Sequence, residues 1–247
     1  FNCIEFARVW GNESEQWKKD NQGNDLREQQ VEKPEWMESF LYESEGYVSG
    51  KLSVYLTEGL HTVTIMSVRE PMILRSITLA NSEAPKAYEE AKQAWEKLGA
   101  TDTSEVFREI EAEHAVRKSS QMLYPVQDQS TPAVTPYSAK CLLNNTIGGT
   151  NWSDVGDWLE WEVEVPADGY YLVSMYTKQN FVQGIPVYRK ITIDGQIPFA
   201  ELEGYQFNYE GDWRMDTLSD ANGDAYRIYL TAGTHTIRME AVLHEFS

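Results

Sequence analysis

Tryptophan is the residue type in this sequence that points most directly to a ligand. Eight tryptophans occur in the 247 residues, and Trp158 begins a run in which glutamates alternate with apolar side chains. Neighbouring side chains of an extended strand point to opposite faces, so Trp158 is predicted to share the solvated face with Glu160. Sugars have apolar C–H faces ringed by hydroxyl groups, and they suit a flat aromatic ring flanked by amides or carboxylates. Trp158 on a polar face therefore indicates a sugar platform.

Three further residues occur where loops or strand ends are predicted: Trp152, Asn180 and Trp213. Loops at one end of a β-fold can bring such side chains together, so we expect the four residues to form one carbohydrate site. The alternative for each tryptophan is burial in the core. Trp161 lies on the apolar face of the same predicted strand and is assigned to the core.

Motifs of the common catalytic sites are missing from the sequence. It contains no Gly-x-Ser-x-Gly nucleophile turn, no phosphate-binding glycine loop and no His-Glu-x-x-His helix. Two of its four histidines, His61 and His235, occupy the same position of an internal repeat, which indicates a structural role. The sequence predicts a protein that is not an enzyme.

The charge of the chain excludes two classes of partner. The formal net charge is −18 and the sequence pI is about 4.6. A protein that binds a polyanion neutralises it with clustered Lys and Arg, and no such cluster occurs here. Nucleic acids and anionic lipid surfaces are therefore excluded as partners. No stretch approaches the roughly 20 apolar residues of a membrane helix, so membrane insertion is not expected.

Alternation with a period of two dominates the secondary-structure pattern and predicts short antiparallel strands separated by turns. The predicted strands are 158–165, 170–178, 188–193, 226–230 and 235–243. One helix is predicted over Pro85 to Leu98, because Tyr88, Ala91 and Trp95 recur at helical spacing. The predicted fold class is all-β, an antiparallel β-sandwich, with a single helix joining two β-rich regions.

An internal repeat defines the predicted domains. Residues 55–63 (YLTEGLHTV) resemble residues 229–237 (YLTAGTHTI), 174 positions further on. We therefore predict a partial sandwich module at 1–82, a helical linker at 83–108 and a second module at 109–247. The first module corresponds to the latter half of the second, so its apolar strands need partners from elsewhere, and we interpret the chain as part of a longer protein. Cys3 and Cys141 either form one disulfide or are two buried thiols.

A set of short motifs follows in order through the second module. They are Ile110-Glu111-Ala112-Glu113, Gly148-Gly149-Thr150-Asn151, Val155-Gly156-Asp157-Trp158-Leu159-Glu160-Trp161, Val163-Glu164-Val165-Pro166-Ala167-Asp168-Gly169-Tyr170-Tyr171, Asp212-Trp213 and Leu230-Thr231-Ala232-Gly233-Thr234-His235-Thr236-Ile237-Arg238. Together they resemble the carbohydrate-binding modules of families six and thirty-five. The resemblance covers roughly residues 109–243, and it implies a jelly-roll sandwich of the galactose-binding-like type that is stabilised by calcium.

The resemblance also implies roles for particular residues. Glu111 and Glu113 match calcium ligands near the first strand of the family, and the alternative is that both are surface acids. Trp213 and either Trp152 or Trp158 match aromatic side chains that contact sugar.

The tandem layout with a helix between the copies resembles accessory regions of large extracellular solute-binding proteins of Gram-positive ABC transporters. It implies an extracellular or cell-surface location in a bacterium, with an oligosaccharide or polysaccharide and other parts of a longer parent protein as partners. Two rival functions stay open: a structural spacer without a sugar site, and an accessory module of a glycoside hydrolase.

Overall fold

The structure is a computed structural model that describes all residues except 1–3, 5, 7, 44–50, 69–70, 82, 104–105, 182 and 244–247. The chain divides into two compact units. The smaller unit comprises Phe1–Phe6 and Trp36–Ala84, and the larger unit comprises Ala7–Glu35 and Pro85–Ser247. Cys3 lies outside the described residues, and with it the choice between a disulfide and two buried thiols; Cys141 is half-buried.

Thirteen strands, one α-helix and three short 3₁₀ helices occur in the described part of the larger unit. The strands are β1 (Trp10–Asn12), β2 (Gln30–Glu32), β3 (Arg117–Lys118), β4 (Pro125–Gln127), β5 (Asn144–Ile147), β6 (Trp158–Val165), β7 (Gly169–Tyr171), β8 (Ser174–Gln179), β9 (Val187–Ile193), β10 (Tyr205–Phe207), β11 (Glu210–Thr217), β12 (Ile228–Leu230) and β13 (Gly233–Val242). The α-helix is α1 (Tyr88–Lys97), and the 3₁₀ helices are Ala112–His114, Gly149–Asn151 and Ala200–Leu202.

The strands form one large antiparallel sheet and three strand pairs. The large sheet has seven strands in the order β10-β9-β13-β6-β3-β1-β2, and the pairs are β8 with β11, β7 with β12, and β4 with β5. The predicted all-β, antiparallel fold class is confirmed. Within the described ranges, no helix has the length and apolar character needed to cross a membrane.

The main core lies between the large sheet and two of the strand pairs, as in a sandwich. Ile191 and Met239 of the large sheet are buried in one cluster with Ile228 and Leu230 of β12. Met175 of β8 packs against the same cluster. Apolar side chains at alternate positions of facing strands thus meet in one layer, which is what the period-two pattern predicts.

The predicted helix is confirmed as α1, and it packs on the larger unit. Ala91 is buried in the main core, and Tyr88 and Trp95 pack against that core. Both carboxylate oxygens of Glu201 accept from the backbone N–H of Tyr88, at 3.0 and 3.2 Å. Because the first N–H groups of a helix have no partner within the helix, Glu201 satisfies one of them from outside.

The large sheet takes strands from the region that we assigned to the first module. β1 pairs with β3 through Trp10 and Lys118, and β2 extends the sheet beyond β1. Lys118 is fully buried, and its Nζ donates to Oδ1 of Asn12 at 2.5 Å and to Oε1 of Gln30 at 2.8 Å. The structure therefore groups residues 7–35 with the second module. The predicted boundary at residue 82 instead assigns these residues to the first module.

The smaller unit has no strand among its described residues, although apolar alternation predicts strands between 54 and 77. Its apolar side chains are exposed, including Val54 at 55% and Ile73 at 82%. Strand pairs without a packed face or further strands are marginal in water. The smaller unit thus has the apolar alternation of β-strands, but its described residues lack the neighbouring strands that would stabilise them.

Candidate carbohydrate site

The aromatic cluster around Trp213 forms on the β8–β11 pair. Thr177 of β8 lies opposite Arg214 of β11, and the register shifts between Arg214 and Glu210. Trp213 stands within this irregularity. A bulge breaks the ladder and redirects the side chain of an unpaired residue, so the local irregularity of β11 sets the position of the Trp213 ring.

Tyr176 of β8 stacks on Trp213. The ring centroids are 5.6 Å apart and the ring planes meet at 21°. Tyr176 is 39% exposed and Trp213 is half-buried. Stacked rings cover each other's inner faces, so the apolar surface open to a sugar ring is the accessible outer side of this pair, which we call the platform.

An ion pair flanks the platform. Lys178 lies two residues beyond Tyr176 and therefore on the same face of β8. Its Nζ lies 5.2 Å from the centroid of the Trp213 ring and 2.8 Å from Oδ2 of Asp128. The same Oδ2 accepts from Nε1 of Trp213 at 3.2 Å. Asp128 thus fixes both the ring and the ammonium group.

Asp128 is itself held rigidly. Its backbone N–H donates to Oδ1 of Asn145 at 2.8 Å, and its carbonyl accepts from Nδ2 of Asn145 at 2.8 Å. Ser130 donates to the carboxylate through its backbone N–H at 2.7 Å and through its hydroxyl group. Burial raises the pKa of Asp128, but the hydrogen bonds from Lys178 and Ser130 outweigh burial and lower the pKa to about 2. The side chain is therefore an ionised acceptor at neutral pH.

Trp158 is buried, although the sequence predicts a solvent-exposed ring on the polar face of its strand. It is 7% exposed, and the guanidinium carbon of Arg238 lies 3.8 Å from its ring centroid. Arg238 also pairs with Glu160 at 2.8 Å, and Glu160 lies opposite Arg238 in the β6–β13 ladder. The cross-strand ion pair holds the guanidinium group over the ring, so Arg238 covers the face that we expected a sugar to cover.

Trp152 is half-buried and packs against both hydrophobic clusters of the larger unit. Its Nε1 donates to the carbonyl of Asp157 at 2.9 Å. The Arg189 guanidinium group lies 4.4 Å from the ring centroid. In the described part of the chain, no ring contact joins Trp213 to Trp152 or to Trp158. Trp161 also packs against both clusters, as its assignment to the core predicts.

Asn180 is exposed and directly follows β8. It therefore lies just past the end of the strand that carries Tyr176 and Lys178. Of the four predicted sugar-binding residues, Trp213 and Asn180 are associated with β8 and β11, whereas Trp152 and Trp158 pack against arginine side chains.

Glu113 and Glu111, the predicted calcium ligands, differ in burial. Glu113 is 1% exposed, and its Oε2 is buried without a hydrogen-bond partner among the described residues. Burial, with a smaller contribution from the charge of Glu111, raises the pKa of Glu113 to about 7. Oε1 of Glu111 accepts from the Thr135 hydroxyl group at 3.3 Å. A buried carboxylate oxygen without a donor, near a second carboxylate, fits a hard cation.

The rest of a calcium coordination shell would come from other oxygen types. Within the described ranges, no group of three or more His, Cys, Asp or Glu side chains could hold a metal ion. Calcium takes six to eight oxygens, and backbone carbonyls and water supply many of them.

Sequence reasoning missed Tyr176, Lys178 and Asp128. For two of them the sequence does contain a signal. Tyr176 and Lys178 alternate with the predicted site residue Asn180, which indicates a common face along the predicted strand. Nothing in the sequence ties Asp128 to that strand, because the ion pair joins residues 50 positions apart.

Comparison with known proteins gives similar solved structures and no family. No protein-family model and no curated protein matches the chain. One solved structure is a Paenibacillus sp. cycloisomaltooligosaccharide glucanotransferase complexed with cycloisomaltoheptaose, at 18% identity and a TM-score of 0.37, with 64% of this chain and 22% of that chain covered. Another is a native family 35 carbohydrate binding module from Clostridium thermocellum, at 18% identity and a TM-score of 0.37, with 55% of this chain and 85% of that chain covered. The matched part is about a fifth of the glucanotransferase.

Proposed function

We propose that the larger unit binds carbohydrate without catalysis, on the platform formed by Trp213 and Tyr176. The observation that carries this proposal is the stack of the two rings, 5.6 Å between centroids, beside the Lys178–Asp128 ion pair. The apolar C–H face of a sugar ring would lie on the indole ring, and its hydroxyl groups would meet the ion pair at the edge of the platform.

The ammonium group of the ion pair retains hydrogen-bonding capacity for such hydroxyls. Lys178 has three donors; it approaches Asp128 at 2.8 Å and the Ser130 hydroxyl group at 3.4 Å, which leaves one N–H. The Asp128 carboxylate has about four acceptor positions, and they meet the N–H and hydroxyl groups of Ser130, Nζ of Lys178 and Nε1 of Trp213. Asp128 therefore orients the ring and the ammonium group, and the free N–H of Lys178 is the donor to a sugar hydroxyl.

Binding is favoured over hydrolysis because of the ionisation of Asp128. A glycosidase acid has its pKa raised so that it carries a proton near neutral pH. The pKa of Asp128 is instead lowered to about 2. Asp128 therefore acts as a fixed acceptor and has no proton to donate at neutral pH.

The proposed setting is a secreted or cell-surface bacterial protein, with this chain as an accessory region of a sugar-uptake solute-binding protein. The sequence motifs of carbohydrate-binding modules support this setting. A structural calcium ion is proposed at Glu113 and Glu111. It would neutralise the buried carboxylate of Glu113, and the unpartnered Oε2 atom supports this assignment.

Tryptophan fluorescence titrated with a panel of neutral and uronic-acid-containing oligosaccharides tests the sugar site. Trp213→Ala and Tyr176→Ala should weaken binding at least tenfold, about 1.4 kcal/mol. Trp36→Ala removes a tryptophan of the smaller unit that is 66% exposed, and it serves as the matched control with unchanged affinity. Normal binding by Trp213→Ala, or no binding of any glycan by the unmodified chain, would refute the site.

A further inference from the structure

The two copies of the internal repeat have the same turn but different surroundings. Residues 54–68 correspond to residues 228–242, which contain β12 and β13. Gly59 has a φ of +137° and its counterpart Gly233 has a φ of +142°. These values lie in a region that side chains with a Cβ rarely adopt, so the shared glycine gives both copies the same chain reversal.

A histidine fixes the turn in each copy. Nε2 of His61 lies 2.8 Å from the carbonyl oxygen of Thr57, and Nε2 of His235 lies 2.7 Å from that of Thr231. In both, the ring nitrogen donates to the carbonyl four residues earlier. The smaller unit therefore contains the preformed turn of a β12–β13 element, although residues 54–68 form no strand.

The two copies of the repeat differ in how far their apolar side chains are buried. Ile228 and Leu230 of β12 and Met239 of β13 are 1%, 6% and 7% exposed. β12 pairs with β7, β13 lies between β6 and β9, and all three side chains belong to the main core. Their counterparts Val54, Leu56 and Ile65 are 55%, 41% and 47% exposed. The same pattern of apolar positions thus lacks the strands that cover it in the second copy.

A carboxylate partner is also missing from the first copy. Asp194, in the turn after β9, places Oδ2 2.6 Å from Nδ1 of His235 and accepts from the backbone N–H of Thr236 at 2.9 Å. Within the described part of the chain, no carboxylate contacts the ring of His61. The first copy thus has exposed apolar side chains and a histidine ring without a carboxylate contact among the described residues.

We propose that residues 54–68 form a docking element for a β9-type strand, an alternating apolar strand that ends in an Asp-containing turn. Its aspartate would contact Nδ1 of His61 and the N–H of Thr62, as Asp194 does for His235 and Thr236. An apolar side chain of the incoming strand would contact Ile65, whose counterpart Met239 lies opposite Ile191 of β9. A second copy of this chain does not supply the strand, because its own β9 is already paired with β13.

A peptide of residues 187–197, which carries the sequence of β9 and the Asp194 turn, is the probe. We mix it with the full 247-residue chain and follow backbone hydrogen exchange by mass spectrometry. The peptide should slow exchange across residues 62–68. A peptide with Asp194→Asn should bind about tenfold more weakly, and a scrambled peptide should give no protection.

The His61→Gln chain makes the test specific for the proposed contact. With this variant, the Asp and Asn peptides should bind equally within about twofold, because the ring that distinguishes them is gone. Three results would overturn the proposal: no protection of residues 62–68, equal binding of the two peptides to the unmodified chain, or protection that rises with chain concentration in the absence of peptide. The last result would identify a second copy as the occupant. None of these outcomes depends on whether Trp213 binds sugar.

Discussion

Oδ2 of Asp194 lies 2.6 Å from Nδ1 of His235, while the carbonyl oxygen of Thr231 lies 2.7 Å from Nε2 of the same ring. Both ring nitrogens thus face acceptors, which favours the doubly protonated imidazolium form. Burial lowers the pKa of His235, but the hydrogen bonds to Thr231 and Asp194 outweigh burial and raise the pKa above 6.5. The loop between β12 and β13 is thereby tied to the end of β9.

Stability should depend on pH through His235. Because its pKa is raised in the folded state, the stabilisation is complete below about pH 6.5 and is lost as the pH rises through the folded-state pKa. Asp194→Asn should lower the free energy of unfolding by about 1 kcal/mol at pH 5.5 and flatten this pH dependence. Urea denaturation at pH 5.5 and 8.5 measures both effects. His61→Gln is the control, and an unchanged pH profile in Asp194→Asn would contradict the assignment.

Asp128→Asn should weaken both the fold and the sugar site. The change removes the charge that pairs with Lys178, and both side chains of this pair are largely buried. We expect a loss of about 2 kcal/mol in the free energy of unfolding and weaker glycan binding in calorimetry. Asp154→Asn, an exposed acid, is the comparison variant. Full glycan affinity in folded Asp128→Asn would remove Asp128 from the site.

Calcium should reverse an instability caused by Glu113. Its pKa is about 7 in the folded state against 4.5 in the unfolded chain, so without calcium the stability should fall as the pH rises from about 4.5 to 7. Chelation at pH 8 should lower Tm, and added calcium should restore it. Glu113→Gln should raise Tm under chelation and abolish the calcium response.

The control for this prediction is Glu162→Gln, which alters a glutamate whose side chain is 42% exposed. Its Tm should respond to calcium as the unmodified chain does. A Tm that is insensitive to chelation in the unmodified chain would reduce Glu111 and Glu113 to ordinary acids.

Arg238→Leu should expose Trp158. The substitution removes the cation from the ring face and one of two arginine partners from Glu160. We expect a loss of about 1–2 kcal/mol in stability and stronger quenching of tryptophan fluorescence by acrylamide. Lys190→Met, which breaks the neighbouring pair with Glu240, should leave the quenching unchanged. Equal quenching of Arg238→Leu and the unmodified chain would show that Arg238 does not shield the ring.

Local pattern predicted part of the elements of the larger unit: the segment predicted as one strand at 170–178 is two strands, β7 and β8, and β11 was not predicted. The strand predicted at 158–165 is β6 with the same bounds, and α1 lies within the predicted helix. Alternation of side chains depends only on neighbouring residues, so it can be read from the sequence. The pairing of β1 with β3 could not be predicted in this way, since it joins Trp10 to Lys118 across more than 100 positions.

In the candidate site, too, local features could be predicted from the sequence, whereas contacts between distant residues could not. The sequence identified Trp213, but alternation alone did not show whether Trp158 stays uncovered. That depends on Arg238, which reaches the ring from the neighbouring strand β13. Asp128 escaped prediction because its contacts with Lys178 and Trp213 exist only in the folded chain.

The burial of Lys118 has a practical consequence for recombinant expression. A chain shortened to begin at Pro85 would keep the helix and eleven of the thirteen strands, yet it would lose Asn12 and Gln30, the amide acceptors of the buried ammonium group. Without β1 and β2, β3 also becomes an unpaired edge strand of the large sheet, and exposed sheet edges favour aggregation. The boundary that a domain search would choose from the repeat would thus yield an unstable fragment, and a stable one must retain residues 7–35.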